Sequence, residues 1–214
     1  MGIILFSGDR GLGKSSVLVE LAAILGHKAR GVVCPGLYTE GRKSAVCWLD
    51  LARAGHDAAG HSEAKALARE LPGYTGMTGQ ARIDLRDEKL VRYGKWEFSR
   101  EALACADEAC LRAIEDPSAR LAIVDELGPL ELSYGQGYVR TLQRLDELFG
   151  ARPAATHGPG DGGGRANKAV IVALRPDLAP LLAERWRGSY LFELSKDNRA
   201  GAAAALAARI SSWL

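Results

Sequence analysis

A glycine-rich segment near the start of the chain has the residue types and spacing of a phosphate-binding loop. Residues 8–15 read GDRGLGKS and fit the pattern GxxxxGK[ST] at every fixed position. The three glycines predict positive φ angles that turn successive N–H groups toward a polyphosphate. Lys14 can reach the β and γ phosphates, Ser15 can ligate Mg²⁺, and Ser16 is placed for the α phosphate. The expected nucleotide-binding loop residues are Gly8, Asp9, Arg10, Gly11, Leu12, Gly13, Lys14, Ser15 and Ser16.

A second candidate site lies where an apolar run ends in two acids. Residues 120–127 read RLAIVDEL, which predicts a buried strand, and the Gly-Pro that follows is expected to end regular structure. In phosphate-loop proteins a second strand supplies an acid that holds Mg²⁺ beside the loop, and Asp125 suits that role. Because side chains alternate along a strand, Glu126 is expected to face the γ phosphate and activate water as a general base.

Two arginines are candidates for the charge that develops on a transferred phosphoryl group. Arg175 ends the apolar run KAVIVALR, and its strand can lie next to the phosphate loop. Arg199, in KDNRAG, is the second candidate and is expected to bind the nucleotide. The segment DELG at 125–128 also fits a pattern of GTPases, but NKAV at 167–170 has a valine where a guanine-reading aspartate would stand. A preference for guanine is therefore unsupported.

Strand and helix patterns alternate through most of the chain, which predicts an α/β fold with a mainly parallel sheet and right-handed crossovers. Ser99 is a good helix N-cap before an amphipathic run that ends at Pro117. Strands are expected at 2–6, 29–36, 120–127, 168–175 and 189–194, and helices at 14–27, 100–116, 137–150, 176–187 and 197–214.

Two regions do not follow this alternation. Residues 38–98 predict a β-rich insertion near the mouth of the first helix, although HSEAKALARELPG within it fits either a short helix or a strand pair. Residues 151–168 contain four glycines within five residues, which favours a flexible loop. That loop is either a solvated linker or a substrate lid carrying Arg152, Arg165 and Lys168.

Composition favours one ordinary globular domain over all 214 residues, with 47% hydrophobic and 25% charged residues. A net charge of +2 gives no general reason to expect nucleic acid or a membrane surface as a partner. No apolar run approaches the length of about 18 residues that a membrane span needs, and no signal peptide is recognisable, so a cytoplasmic protein is expected. The four cysteines lack zinc-site spacing and are expected to be reduced thiols.

Taken together, these segments make the chain resemble the THEP-type, or cancer-related, nucleoside-triphosphatase family. The segments that carry the resemblance span nearly the whole chain: GDRGLGKSS, GLYTEG at 36–41, IVDELGPLELS at 123–133, VIVALRPD at 170–177 and LSKDNR at 194–199. The resemblance implies a RecA-like P-loop NTPase fold and Mg²⁺-dependent hydrolysis of nucleoside triphosphates with broad base tolerance. Pro129 departs from the family, many members of which have lysine there.

The expected function is therefore Mg²⁺-dependent hydrolysis of nucleoside triphosphates to diphosphate and phosphate. The catalytic residues would be Lys14, Glu126 and Arg175, and the Mg²⁺ ligands would be Ser15 and Asp125. Two alternatives stay open: a nucleotide or small-molecule kinase on the same fold, and a regulatory nucleotide-binding module. A monomer or a small homo-oligomer is expected.

Overall fold

The computed structural model describes residues 1–53, 65–71, 83–150 and 168–213. The strands are β1 Gly2–Ser7, β2 Ala29–Val33, β3 Gly36–Thr39, β4 Arg42–Asp50, β5 Lys65–Glu70, β6 Ile83–Asp84, β7 Leu90–Tyr93, β8 Trp96–Ser99, β9 Leu121–Asp125, β10 Ala169–Leu174 and β11 Tyr190–Glu193. The α-helices are α1 Lys14–Leu25, α2 Arg100–Glu115, α3 Pro129–Tyr134, α4 Val139–Phe149, α5 Ala179–Arg185 and α6 Ala202–Trp213. Short 3₁₀ turns lie at Gly26–Lys28, Pro176–Leu178 and Arg199–Gly201.

Five parallel strands form the centre of the sheet, in the order β11-β1-β10-β9-β2. Most of their residues are apolar and fully buried, as expected for strands covered on both faces. β10 lies between β1 and β9, since Ile171 pairs with Ile4 on one side and with Ile123 on the other. The loop after β1 and the acids after β9 therefore leave the same edge of the sheet.

Helices cover both faces of this centre and bury two apolar cores. On one face, α1 and α6 pack against alternate residues of the strands, with Leu18, Leu21 and Leu206 fully buried. On the other face, α2, α4 and α5 pack against the remaining residues, with Leu145 and Leu182 fully buried. The predicted α/β fold is confirmed: the chain forms a three-layer α/β sandwich whose sheet is parallel at its centre.

An antiparallel extension continues the same sheet beyond β2. β4 pairs with β2 through Val32 and Asp50, and the order continues as β5, β8, β7 and β6, while β3 pairs with β4. These strands lie in the region where the sequence predicts a β-rich insertion. Segment 65–70, for which helix and strand were both open, is a strand that pairs with β4 and β8.

Two details differ from the expectations. Gly128-Pro129 does not end regular structure, because Pro129 begins helix α3; a proline at the first helical position lacks only an N–H that has no partner within the helix. The helix expected over 176–187 is a 3₁₀ turn followed by the shorter α5. Residues 151–167 of the glycine-rich loop lie outside the described residues. Within the described ranges, no helix is long and apolar enough to cross a membrane.

Candidate functional site

The predicted phosphate loop connects β1 to α1, and its glycines have two different roles. Gly11 and Gly13 have φ angles of 85° and 83°, the left-handed conformation that lets the chain turn here. Gly8 does not have a positive φ, so the expectation of one there is wrong. Instead, a Cβ on Gly8 would lie 3.0 Å from the Leu194 Cβ, so the absence of a side chain lets the loop pack against the end of β11.

Lys14 is the first residue of α1 and is buried. Its Nζ donates to the carbonyl oxygens of Gly8, at 2.6 Å, and Asp9, at 3.4 Å, so the side chain folds back over the loop. Asp9 and Arg10 are exposed, whereas Leu12 packs against the apolar core under α1. A lysine ammonium and the N-terminal end of a helix thus lie beside one loop, which favours an anionic ligand there.

Ser15 and Asp125, the expected Mg²⁺ ligands, are joined through the backbone of Cys34. The Ser15 hydroxyl donates to the Cys34 carbonyl oxygen at 3.2 Å, and the Cys34 N–H donates to Asp125 Oδ2 at 2.9 Å. Cys34 follows β2, which lies next to β9 in the sheet. The parallel pairing of these strands therefore brings together two side chains that are far apart in the sequence.

Asp125 and Glu126 have different environments although they are neighbours in the chain. Asp125 is 2% exposed, and this burial raises the pKa of its carboxyl, while the Cys34 N–H, the Ser15 hydroxyl and Lys14 act in the opposite direction. Glu126 is exposed at the sheet edge. β9 ends at Asp125, so strand alternation is not what orients Glu126.

The two candidate arginines have different surroundings. Arg199 is half-buried over Gly13: its Nε would lie 3.1 Å from a Cβ at that position. Its guanidinium donates to both carboxylate oxygens of Glu20, at 2.9 and 3.4 Å. Arg175 follows β10 directly, one residue beyond the Leu174–Ser7 pair, and its Nε lies 4.0 Å from Asp177.

Ser16 is exposed near Gly13, on the Arg199 side of the loop. A Cβ on Gly13 would lie 3.7 Å from the Ser16 Oγ and 3.6 Å from the nearer terminal nitrogen of Arg199. The described structure thus places Lys14, Ser15 and Asp125 near one another at the loop. Ser16 and Arg199 lie near each other at Gly13.

Sequence reasoning missed several residues of this edge, among them Cys34, Glu131 and Tyr138. Cys34 was expected to be a structural thiol, and it is indeed a buried free cysteine, but its backbone joins Ser15 to Asp125. Its place in the sequence could have indicated it, since Cys34 directly follows a strand that ends at the same edge of the sheet as the phosphate loop. Within the described residues, no three histidine, cysteine or acidic side chains form a metal cluster.

Comparison with known proteins gives two structural matches over nearly the whole chain. THEP1 from the hyperthermophile Aquifex aeolicus aligns with a TM-score of 0.58 at 20% identity, covering 97% of this chain and 98% of that one. A human cancer-related nucleoside triphosphatase aligns with a TM-score of 0.61 at 15% identity, covering 99% and 98%. The chain has their fold. No family model and no curated protein sequence matches it.

This P-loop NTPase fold includes the antiparallel extension, because the alignments cover both chains nearly end to end. At 20% and 15% identity, the likeness concerns the fold rather than individual side chains. The roles of the loop residues and of the two acids must therefore be argued from their own geometry.

Proposed function

We propose that the protein hydrolyses nucleoside triphosphates to nucleoside diphosphate and phosphate. The observation that supports this most directly is the hydrogen-bonded connection from Ser15 through Cys34 to Asp125, beside the lysine of the loop. It unites a phosphate-binding loop with the acid that such loops require. The fold match supports the proposal as well, since one of the two matching proteins is described as a nucleoside triphosphatase.

The residues at this edge suit Mg²⁺. Mg²⁺ prefers oxygen ligands and is usually held by one or two protein groups together with waters and substrate phosphates. Ser15 supplies a hydroxyl and Asp125 a buried carboxylate whose charge has few other partners. When bound, the metal would neutralise charge on the β and γ phosphates. No larger set of protein ligands is needed, in agreement with the absence of a metal cluster among the described residues.

Glu126 is the group that we assign to the attacking water. It is exposed at the edge where Asp125 is buried, so a water can reach its carboxylate. Glu126 accepts a proton as the water oxygen bonds to the γ phosphorus, and the bond from that phosphorus to the β–γ bridging oxygen breaks. The products are a nucleoside diphosphate and phosphate. The ammonium of Lys14 stabilises the negative charge that develops on the phosphate oxygens.

The arginines are assigned according to their position. Arg199 lies over Gly13 and beside Ser16, so it contacts the part of the nucleotide nearer the α phosphate. Arg175 directly follows β10, the neighbour of β1, where a cation can stabilise charge on the transferred phosphoryl group. We further propose membership of the THEP-type family, which the shared fold supports. We also propose broad base tolerance, since the sequence NKAV at 167–170 has a valine where a guanine-reading aspartate would stand.

The first test is phosphate release from ATP, GTP, CTP and UTP by the purified protein with and without Mg²⁺. We expect release from all four in the presence of Mg²⁺. Glu126→Gln should abolish release and leave nucleotide affinity intact, because the loop is untouched. Lys14→Ala should weaken binding itself.

The same assay separates the proposal from its alternatives. A wild-type protein that binds nucleotide but releases no phosphate without an added acceptor would favour a kinase or a regulatory module. Unchanged turnover in Glu126→Gln would contradict the general-base assignment alone. Normal nucleotide affinity in Lys14→Ala would contradict the assignment of the phosphate loop.

A further inference from the structure

Helix α3, which follows the acid pair, carries a buried carboxylate that the proposed reaction does not use. Glu131 is 7% exposed, and burial raises its pKa to about 7 even though backbone N–H groups favour its charged form. A buried charge is costly unless hydrogen bonds compensate it. An exposed acid could cap so short a helix without the cost of burying a charge, so capping alone does not explain why Glu131 is buried.

The two oxygens of Glu131 hold two different segments. Oε2 accepts the N–H of Gly128 at 2.9 Å, and Oε1 accepts the N–H of Tyr138 at 3.2 Å. Gly137 lies against the same carboxylate: a Cβ there would come within 2.0 Å of Oε1, and its φ of 81° also favours glycine. The carboxylate thus joins the turn after β9 to the beginning of α4.

That turn is the one that carries Glu126. The next residue, Leu127, is fully buried and donates its N–H to the Ala173 carbonyl oxygen of β10 at 3.0 Å. The residue after it, Gly128, donates to Glu131. Glu126 is therefore the exposed residue of a turn whose following two residues are each fixed by one hydrogen bond.

The beginning of α4 also contacts the partner of the other acid. The Tyr138 hydroxyl lies 3.3 Å from the Cys34 Sγ, and the Cys34 N–H donates to Asp125. Tyr138 is 2% exposed, so this contact is made inside the core. Asp125 is consequently connected to the Glu131 carboxylate through Cys34 and Tyr138, whereas Glu126 is connected to it through the turn that ends at Gly128.

We infer that Glu131 is a positioning residue for Glu126, holding the turn that carries this base against the beginning of α4. The inference rests on the proposed hydrolysis. A carboxylate suits the place because each of its oxygens accepts one N–H. A glutamine has one acceptor oxygen, so its NH₂ group would face one of the two N–H donors.

The test is Glu131→Gln, with kcat measured by phosphate release and Kd measured by calorimetry with Mg²⁺–ADP. The kcat should fall by a factor between about 10 and 100, since a small displacement of a catalytic group has effects of that size. The Kd should stay within about twofold, because the contacts of the phosphate loop are unchanged.

A pH profile adds a readout that a merely structural role would not change. The titratable groups facing Glu131 are Glu126 at the end of β9, Tyr138 at the beginning of α4 and Cys34 beyond it. Protonation of Glu131 removes an acceptor, so the wild-type kcat should fall as the pH falls through about 7. Glu131→Gln should lack that inflection.

Several outcomes would overturn the inference. They are an unchanged kcat in Glu131→Gln, a parallel loss of kcat and nucleotide affinity, and a pH inflection that persists in the variant. Should the variant not fold, NMR on the wild type decides: the amide signals of Gly128 and Tyr138 must titrate with the same midpoint as kcat. A wild type that releases no phosphate refutes the proposed function as well, whereas equal turnover in both proteins refutes only the role of Glu131.

Discussion

Replacing Arg199 by alanine should weaken nucleotide binding far more than it weakens the fold. The ion pair with Glu20 is partly solvated, because the two side chains are 28% and 48% exposed. Such surface pairs contribute at most about 1 kcal/mol to stability, which for a protein of this size is a melting-temperature shift of about 2–4 °C. A hydrogen bond from a charged group to the nucleotide is worth about 1.5–3 kcal/mol. The Kd should therefore rise by a factor of about 10–100.

Isothermal titration with Mg²⁺–ATP and Mg²⁺–ADP measures this effect, and thermal unfolding measures the stability of the same samples. Glu20→Ala is the matched control, since it removes the same ion pair and leaves Arg199 in place. It should bind nucleotide at least as tightly as the wild type, because an acid beside the loop is lost. Wild-type affinity in Arg199→Ala would refute the reasoning. Equal weakening in both variants would show that the ion pair, rather than contact with the nucleotide, is what matters.

Two further predictions concern the stability of the scaffold. Lys168→Ala should lower the free energy of unfolding, measured in urea, by about 3 kcal/mol, because the buried ammonium donates to the Ala113 and Ile114 carbonyl oxygens at the end of α2. Lys89→Ala is the control and should have little effect, because Lys89 is exposed. Losses of similar size in the two variants would contradict this role. Gly31→Ala should cost more than about 3 kcal/mol, since its Cβ would lie 2.1 Å from the Ile123 oxygen at a φ of 108°. Gly201→Ala is the control, because its Cβ meets nothing within 4 Å and its φ is not positive. Equal melting temperatures for these two glycine variants would refute the steric argument.

Features that depend on neighbouring residues could be predicted from the sequence. The spacing of the loop glycines and Lys14, together with the apolar runs around them, indicated a strand, a loop and a helix, and the structure has them at Gly2–Ser7 and Lys14–Leu25. Ser99 was expected to cap a helix, and its side chain accepts the N–H of Ala102. The roles of Ser15, Asp125, Glu126 and the two arginines stay predictions until they are tested.

Features that depend on distant residues could not be predicted. Lys168 was one of three basic residues considered for a lid, but it is buried at the end of α2, which only the folded sheet brings near. Gly8 lacks the expected positive φ, and it packs closely against Leu194, which lies far from it in the sequence. The connection from Glu131 through Tyr138 and Cys34 to Asp125 likewise joins four segments that no spacing rule relates.

The position of β1 in the sheet has a consequence for the order in which the protein is made. Gly2 pairs with Ala169 and Ile4 pairs with Tyr190, so the strand that precedes the phosphate loop has both neighbours in the last quarter of the chain. Pairing across such distances closes slowly and only after the intervening residues have been synthesised. The loop thus acquires its shape late, while the hairpins of the antiparallel extension can form from local contacts. A chain that stops before β10 lacks both strand partners of β1, so the loop that follows β1 should not acquire its shape without β10 and β11.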